Sequence, residues 1–516
     1  MAFMQKLKDV LNNEYNTSVT ENGATGYRTT GKALLDLNFA VSSLRNASPD
    51  EIADRFVKAY YEDSLLAIKW LFFAGDVRQG LGERRLFRTL FLYLAQNHTE
   101  TARALMPLIP EYTRWDIVVS LMQTPLADDA AAMLWKQLEK DRINMANSAP
   151  ISLCAKWLPS ENASSEQTKQ MAHILAQKFS MTAKEYRQML SAFRKYLKVV
   201  EVMMSSGKWA DIRYDTVPSR ANLIYNKAFL RNDEERRREF LGAVKKGEQQ
   251  IHADVLFPHD IVHSYMESRP TYPPVLRPVD ATLEELWRAL PDYVKGTGNT
   301  LCIADGSASM TSRIGITNVS CLDVANALAI YFSERCTGQF KDCYISFSQN
   351  PWFVDLSKGK TLHDKIEIAL HYNEVANTDL EAVFELILLT AVKNHMTQDE
   401  LPANLLILSD MEFDTATSHL IAHQLVPPDE RLFETFAKRY SQYGYRLPRL
   451  IFWNIRSRTC TIPITENALG VALVSGFSPM IAKMVLTGET DPYKILTGQL
   501  ALPRYDAVEQ AIKEYL

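Results

Sequence analysis

No stretch of this sequence reaches the roughly 18 uninterrupted apolar residues that a membrane span requires. The opening residues Met1-Ala2-Phe3-Met4-Gln5-Lys6 lack the apolar core of a secretory leader, so a cytoplasmic chain is expected. Cysteine is sparse, with Cys154, Cys302, Cys321, Cys336, Cys343 and Cys460 the only six in 516 residues. No two are spaced Cys-x-x-Cys, which argues against zinc-ribbon and dithiol redox patterns and leaves free thiols as the expected state. A P-loop, a Gly-x-Ser-x-Gly elbow and a His-Glu-x-x-His helix are all missing. Nothing marks an activated nucleophile, and no enzymatic activity is expected.

The chain is 47% hydrophobic, enough to bury large cores in at least two domains. Its net charge of −4 is unevenly spread. Residues 1–300 carry 39 Lys and Arg against 36 Asp and Glu, whereas 301–516 carry 18 against 25. The basic excess is concentrated in 151–250, with 18 basic and 11 acidic residues. Such an excess suits a polyanion, although solvated helix faces have the same composition.

Periodicity divides the chain into four parts. Residues 1–31 are a polar, Asn/Thr/Gly-rich arm. Residues 32–256 read as helices with short breaks, including 128–141, 165–179, 182–203 and 219–230, and suggest a helical-repeat solenoid or ring of the HEAT type. Residues 257–298 gather Pro258, Pro270, Pro273, Pro274 and Pro278 and read as a linker. From 299 to 516, short apolar runs (300–304, 343–347, 404–409, 449–455, 470–474) alternate with helical patterns (321–336, 379–394, 430–443, 479–486). That alternation predicts a doubly wound parallel sheet, Rossmann-like in class, with ligands at the carboxyl ends of its strands.

Two acids fall at such ends. Asp305 opens the loop Asp305-Gly306-Ser307-Ala308-Ser309, and Asp410 follows Leu405-Leu406-Ile407-Leu408-Ser409. One carboxylate and two hydroxyls on a single turn are hard oxygen donors, suited to Mg²⁺, with Mn²⁺ or Ca²⁺ as alternatives. Together with Thr378, which precedes the helix starting near Leu380, these residues resemble the metal-ion-dependent adhesion site of the von Willebrand factor A domain. The resemblance implies that Asp305, Ser307, Ser309, Thr378 and Asp410 hold a metal and that its open position accepts an acidic side chain from a protein partner. Asp305 is expected as a surface ligand, and Glu412 and Asp414 are expected to face solvent.

The pairs His259/His263 and His419/His423 have i,i+4 spacing but lack a third zinc ligand. Gly80-Leu81-Gly82 is too short for a dinucleotide fingerprint and reads as a helix break.

The segments Phe73-Ala74-Gly75-Asp76-Val77-Arg78-Gln79-Gly80-Leu81-Gly82-Glu83-Arg84 and Ile109-Pro110-Glu111-Tyr112-Thr113-Arg114-Trp115-Asp116 resemble the Ro (TROVE-type) proteins. With Ser152–Asn162 and Val217–Ala221 they resemble more closely a Ro-related family of uncharacterised proteins, over about residues 30–490. The resemblance implies a helical scaffold that binds structured or single-stranded RNA, closed by a von Willebrand A domain, in a monomeric chain. Candidate phosphate contacts are Arg78, Arg84, Arg85, Arg88, Lys156, Arg187, Arg194, Lys195, Lys198, Lys208 and Arg220. A metal-dependent protein-interaction scaffold without nucleic acid is the alternative. A metal-dependent phosphoesterase is a third reading, for which the second metal or acid/base group is missing.

Overall fold

The computed structural model describes Met4 and residues 15–266, 275–294, 299–315, 317–414, 432–465, 469–485 and 489–515. The chain forms two compact units, each built from separated stretches of sequence. One comprises residues 1–67 and 256–501, the other residues 68–255 and 502–516.

Among the described residues the first unit has eight strands: β1 (Thr17–Val19), β2 (Thr25–Tyr27), β3 (Thr300–Asp305), β4 (Cys343–Phe347), β5 (Pro351–Asp355), β6 (Asn404–Ser409), β7 (Arg449–Asn454) and β8 (Val471–Ser475). β1 and β2 form a hairpin, and the other six form one sheet in the order β5-β4-β3-β6-β7-β8. All neighbours in that sheet are parallel except β4 and β5. β3, β4, β7 and β8 are buried throughout, as β-branched and leucine-rich runs covered on both faces should be. Successive residues of β7 show the two covers: Trp453 meets Phe332 of the helix Cys321–Arg335, while Phe452 meets Phe433 of the helix Leu432–Gln442. The doubly wound sheet and the helical region preceding it are the expected fold class.

The five expected strands match to within a residue or two. β5 was not expected. It begins with Pro351, lies at the sheet edge and is half exposed, so it lacks the continuous apolar run that marks a buried strand.

Two of the expected boundaries differ from the structure. The proline-rich stretch 257–298 carries the helices Pro258–Tyr265 and Ala281–Arg288, whose Ile261, Val262, Leu286 and Trp287 are buried. It belongs to the sheet unit and is not a free linker; Pro258 sits at the first helical position, where its missing N–H costs nothing. The stretch 15–62, read as arm and first helices of the solenoid, also belongs to the sheet unit. Tyr27 N donates to Ile462 O and Ile462 N to Tyr27 O, both at 2.8 Å. Gly26 permits this approach, since a Cβ there would lie 2.6 Å from Ile462 O.

The second unit is helical. Its segments include Arg84–Asn97, Thr99–Leu105, Ala127–Ala146, Glu166–Lys178, Ala183–Tyr196 and Glu234–Lys245. The helix Asp506–Ile512, from the far end of the chain, packs on Thr99–Leu105. The segment 73–84 makes this closure possible. Asp76, fully buried, accepts from Arg504 through Nε at 2.6 Å and Nη2 at 3.1 Å, and from the Tyr505 hydroxyl at 3.3 Å. Tyr112 stacks on Tyr505 and donates its hydroxyl to Arg504 O. Gly80 folds back so tightly that a Cβ would lie 1.9 Å from Phe73 O, and no side chain fits there.

Candidate metal centre

The strand order places the reversal of winding between β3 and β6, because β4 follows β3 to one side and β6 lies on the other. In such sheets this reversal opens a crevice at the carboxyl ends. Asp305 ends β3, Ser409 ends β6 and Asp410 directly follows it, so the two acids meet there by topology.

The loop after β3 is held by its own hydrogen bonds. Asp305 Oδ1 accepts from Ser307 N at 2.9 Å, and Asp305 Oδ2 accepts from Ser409 Oγ at 2.5 Å. Gly306 N donates to Phe347 O, and a Cβ on Gly306 would crowd Asn373 Oδ1 and Ser346 Oγ at 3.1 and 3.2 Å. The loop before Thr378 is tied to this one in both directions: Ala308 N donates to Ala376 O, and Val375 N donates to Gly306 O. Ser307 Oγ and Ser309 Oγ lie 3.1 Å apart, and Ser309 hydrogen-bonds Asp410. Thr378 N donates to Asp414 Oδ2 at 2.9 Å. Asp305, Ser307, Ser309, Thr378 and Asp410 are thus linked through a continuous network of loops at one end of the sheet.

The electrostatics are those of two acids crowded out of water. Burial raises the Asp305 carboxyl above its ordinary range, against the pull of its serine partners, and Asp414 adds to the rise. Burial also raises Asp410, and the negative charge of Asp305 raises it further. A divalent cation between them would reverse that effect. Two carboxylates and three hydroxyls are a donor set that hard divalent cations take, completing their shell with water or an incoming oxygen. Among the described residues no three His, Cys, Asp or Glu side chains group as a metal cage; here three of the five donors are hydroxyls.

Three expectations need correction. Asp305 is not a surface ligand, being 1% exposed, because the loops of β4, β6 and Thr378 close over it. Glu412 does not face solvent. It is fully buried, with Oε1 accepting from Ser457 Oγ, Arg458 N, Thr459 N and Thr459 Oγ1, and Oε2 from Glu21 N and Thr459 Oγ1. Asp414 is half-buried and caps Thr378. The sequence reading also missed Ser409, although it directly precedes Asp410, and the tip of the β1–β2 hairpin. Glu21 N reaches Glu412, Asn22 Nδ2 lies 3.4 Å from Thr378 Oγ1, and Thr20 Oγ1 donates to Phe413 O.

The histidine pairs make no metal site among the described residues. His259 is buried between the rings of Phe257 and Phe477, and His263 Nδ1 is 3.0 Å from Asp323 Oδ2. His419 and His423 lie outside the described residues.

In the helical unit the expected phosphate contacts divide. Arg78, Arg84, Arg85, Arg187, Lys195, Lys198, Lys208 and Arg220 are exposed. Arg78 donates to Glu111 O, and Arg88 pairs with Asp116 at 3.1 Å. Lys156 is half-buried with its ammonium 5.9 Å from the Trp157 ring, on which Arg114 also stacks. Arg194 is a structural brace, in contrast to the expectation. Its guanidinium donates to Ala155 O, Leu158 O and Ser160 Oγ, and burial holds its pKa below the ordinary arginine value.

Fold and site define the class: a chain joining a helical unit to a doubly wound sheet with an oxygen-lined site at its point of reversal. Residues 20–113 and 115–299 match DUF2828, a domain of unknown function, and the chain belongs to that family. Residues 299–498 match a second domain of unknown function, DUF7788. An uncharacterised protein of Acanthamoeba polyphaga mimivirus is 26% identical over 513 residues, covering 92% of this chain and 85% of that protein. The crystal structure of the Deinococcus radiodurans RO (RSR) protein matches over 80% of this chain and 93% of that one, at 13% identity and a TM-score of 0.36.

Proposed function

We propose that this chain is a non-catalytic RNA-binding protein of Ro-like architecture, whose sheet unit carries a Mg²⁺-dependent adhesion site. Asp305, Ser307, Ser309, Thr378 and Asp410 would hold the cation, which when bound supplies a Lewis-acidic position for a partner's carboxylate. The observation that carries the cation reading is the meeting of all five residues at the reversal of the sheet, where burial raises both carboxyls and the charge of Asp305 raises Asp410 further. For RNA, support comes from the resemblance of segments 73–84 and 109–116 to Ro proteins and from the exposed cations Arg187, Lys195, Lys198, Lys208 and Arg220. Binding of structured and of single-stranded RNA to the purified chain, measured across a salt series, tests this. Affinity falling log-linearly with salt supports phosphate contacts; no binding at low salt removes RNA from the reading.

A second reading is a metal-dependent protein-interaction scaffold. It is favoured by the pairing of several helical-unit arginines with neighbouring acids, as in Arg88–Asp116, Arg213–Asp215 and Arg236–Asp233. The same RNA titration separates the two.

A further inference from the structure

The loop after β7 brings a guanidinium to the rim of the candidate metal centre. Arg458 Nη2 lies 3.5 Å from Asp410 Oδ2, and its Nε binds Glu21 Oε2 at 2.6 Å. Two residues earlier, Arg456 hydrogen-bonds the thiol of Cys321, which also feels the charges of Asp410 and Arg458. A donor set meant only for a cation gains nothing from adjacent arginines, whose charge opposes the metal's. An incoming anion does gain, because its second oxygen can take the planar guanidinium fork.

That second position is filled by the chain itself. The β1–β2 hairpin tip is pinned by backbone and side-chain bonds. Glu21 N binds Glu412 at 2.8 Å, Asn22 Nδ2 binds Glu412 O at 2.7 Å, and Gly23 bridges Asp414. These bonds leave the Glu21 carboxylate half exposed on Arg458, whose Nη2 reaches Asp410, while the neighbouring Asn22 reaches Thr378. The two partners are 32% and 54% exposed, so the contact is open to exchange and not locked in a core.

We propose that Arg458 forms an anion subsite beside the metal position, and that Glu21 occupies it in cis, so that an acidic peptide partner binds by displacing Glu21. The occupant is a carboxylate because the group already seated there is one. The assignment rests on the cation reading for the neighbouring position only; the Glu21–Arg458 exchange stands apart from it.

The test uses the full chain as wild type, Glu21→Gln, Arg458→Lys and Arg458→Gln. Each is titrated with a short acidic peptide (acetyl-Gly-Glu-Gly-amide) and, separately, with inorganic phosphate, with and without Mg²⁺. Amide exchange is followed at Gly23 and Ala24. Removing an exposed competing carboxylate raises peptide affinity about twofold to fivefold in Glu21→Gln. Arg458→Gln abolishes peptide binding, Arg458→Lys weakens it, and peptide binding to the wild type speeds exchange at the hairpin tip. Equal affinity of wild type and Glu21→Gln, or full binding by Arg458→Gln, overturns the proposal. Binding of phosphate but not peptide overturns the carboxylate assignment. If the Glu21 and Arg458 effects hold but Mg²⁺ changes nothing, the subsite stands and the cation reading fails.

Discussion

Glu412→Gln isolates the residue that ties three loops together. Glutamine matches glutamate in length, so packing is conserved and only charge and one acceptor change. Its carbonyl oxygen keeps the donors on the Ser457–Thr459 side, where four bonds converge on Oε1. Its NH₂ then faces Glu21 N, donor against donor, and that 2.8 Å bond is lost. The flipped amide is worse, because the NH₂ would face the four donors. Hydrogen bonds to a charged group contribute about 1.5–3 kcal/mol each and neutral ones about 1 kcal/mol. Losing one and weakening the rest therefore costs about 2–4 kcal/mol, partly offset by water reaching the exposed Glu21 amide. The loss is local to the hairpin tip, so native-state hydrogen exchange reads it best. Protection at the Gly23, Ala24 and Tyr27 amides, which bind Thr20 O, Thr20 Oγ1 and Ile462 O, should fall roughly 30-fold to 1,000-fold. The helical unit's amides should be unaffected. Less than threefold loss at the tip would refute the idea that Glu412 is its anchor.

Other consequences follow from buried charge and from surface charge. Arg504→Met should destabilise the helical unit by about 3 kcal/mol or more in urea denaturation, because Asp76 is fully buried and keeps only the Arg78 amide and the Tyr505 hydroxyl. The double variant with Asp76→Asn should recover part of that loss; strict additivity would refute the pairing. Lys195→Glu with Lys198→Glu should leave the urea midpoint unchanged while weakening RNA binding and shallowing its salt slope by about two. Arg194→Ala should do the reverse, costing about 2–3 kcal/mol of stability through three lost backbone and hydroxyl contacts.

Much of the fold was legible because buried parallel strands read as plain apolar runs, and β3, β4, β6, β7 and β8 are such runs. Asp305 and Asp410 were legible for the same reason: each directly follows one. What sequence pattern does not carry is long-range pairing. Tyr27 joins Ile462, Glu21 joins Arg458 and Asp76 joins Arg504, each across some 400 positions, and no local periodicity encodes such partners. The proline cluster misled for a physical reason, since proline marks a helix's first turn as readily as a linker. Arg194 lies in a basic stretch whose neighbours are exposed, and only its three carbonyl and hydroxyl acceptors distinguish a brace from a surface cation.

The central claim is that the reversal of the sheet holds a divalent cation, and isothermal calorimetry of Mg²⁺ binding to the metal-free chain tests it most directly. Asp305→Asn is the matched control. Its Oδ1 still accepts from Ser307 N, and the Ser409 hydroxyl can turn to accept from the new amide, so the loop keeps its shape. One Mg²⁺ bound per wild-type chain, with a raised Tm, and neither effect in a folded Asp305→Asn is the predicted result. A wild type that takes up no Mg²⁺, Mn²⁺ or Ca²⁺, or an Asp305→Asn that binds as the wild type does, would contradict the account.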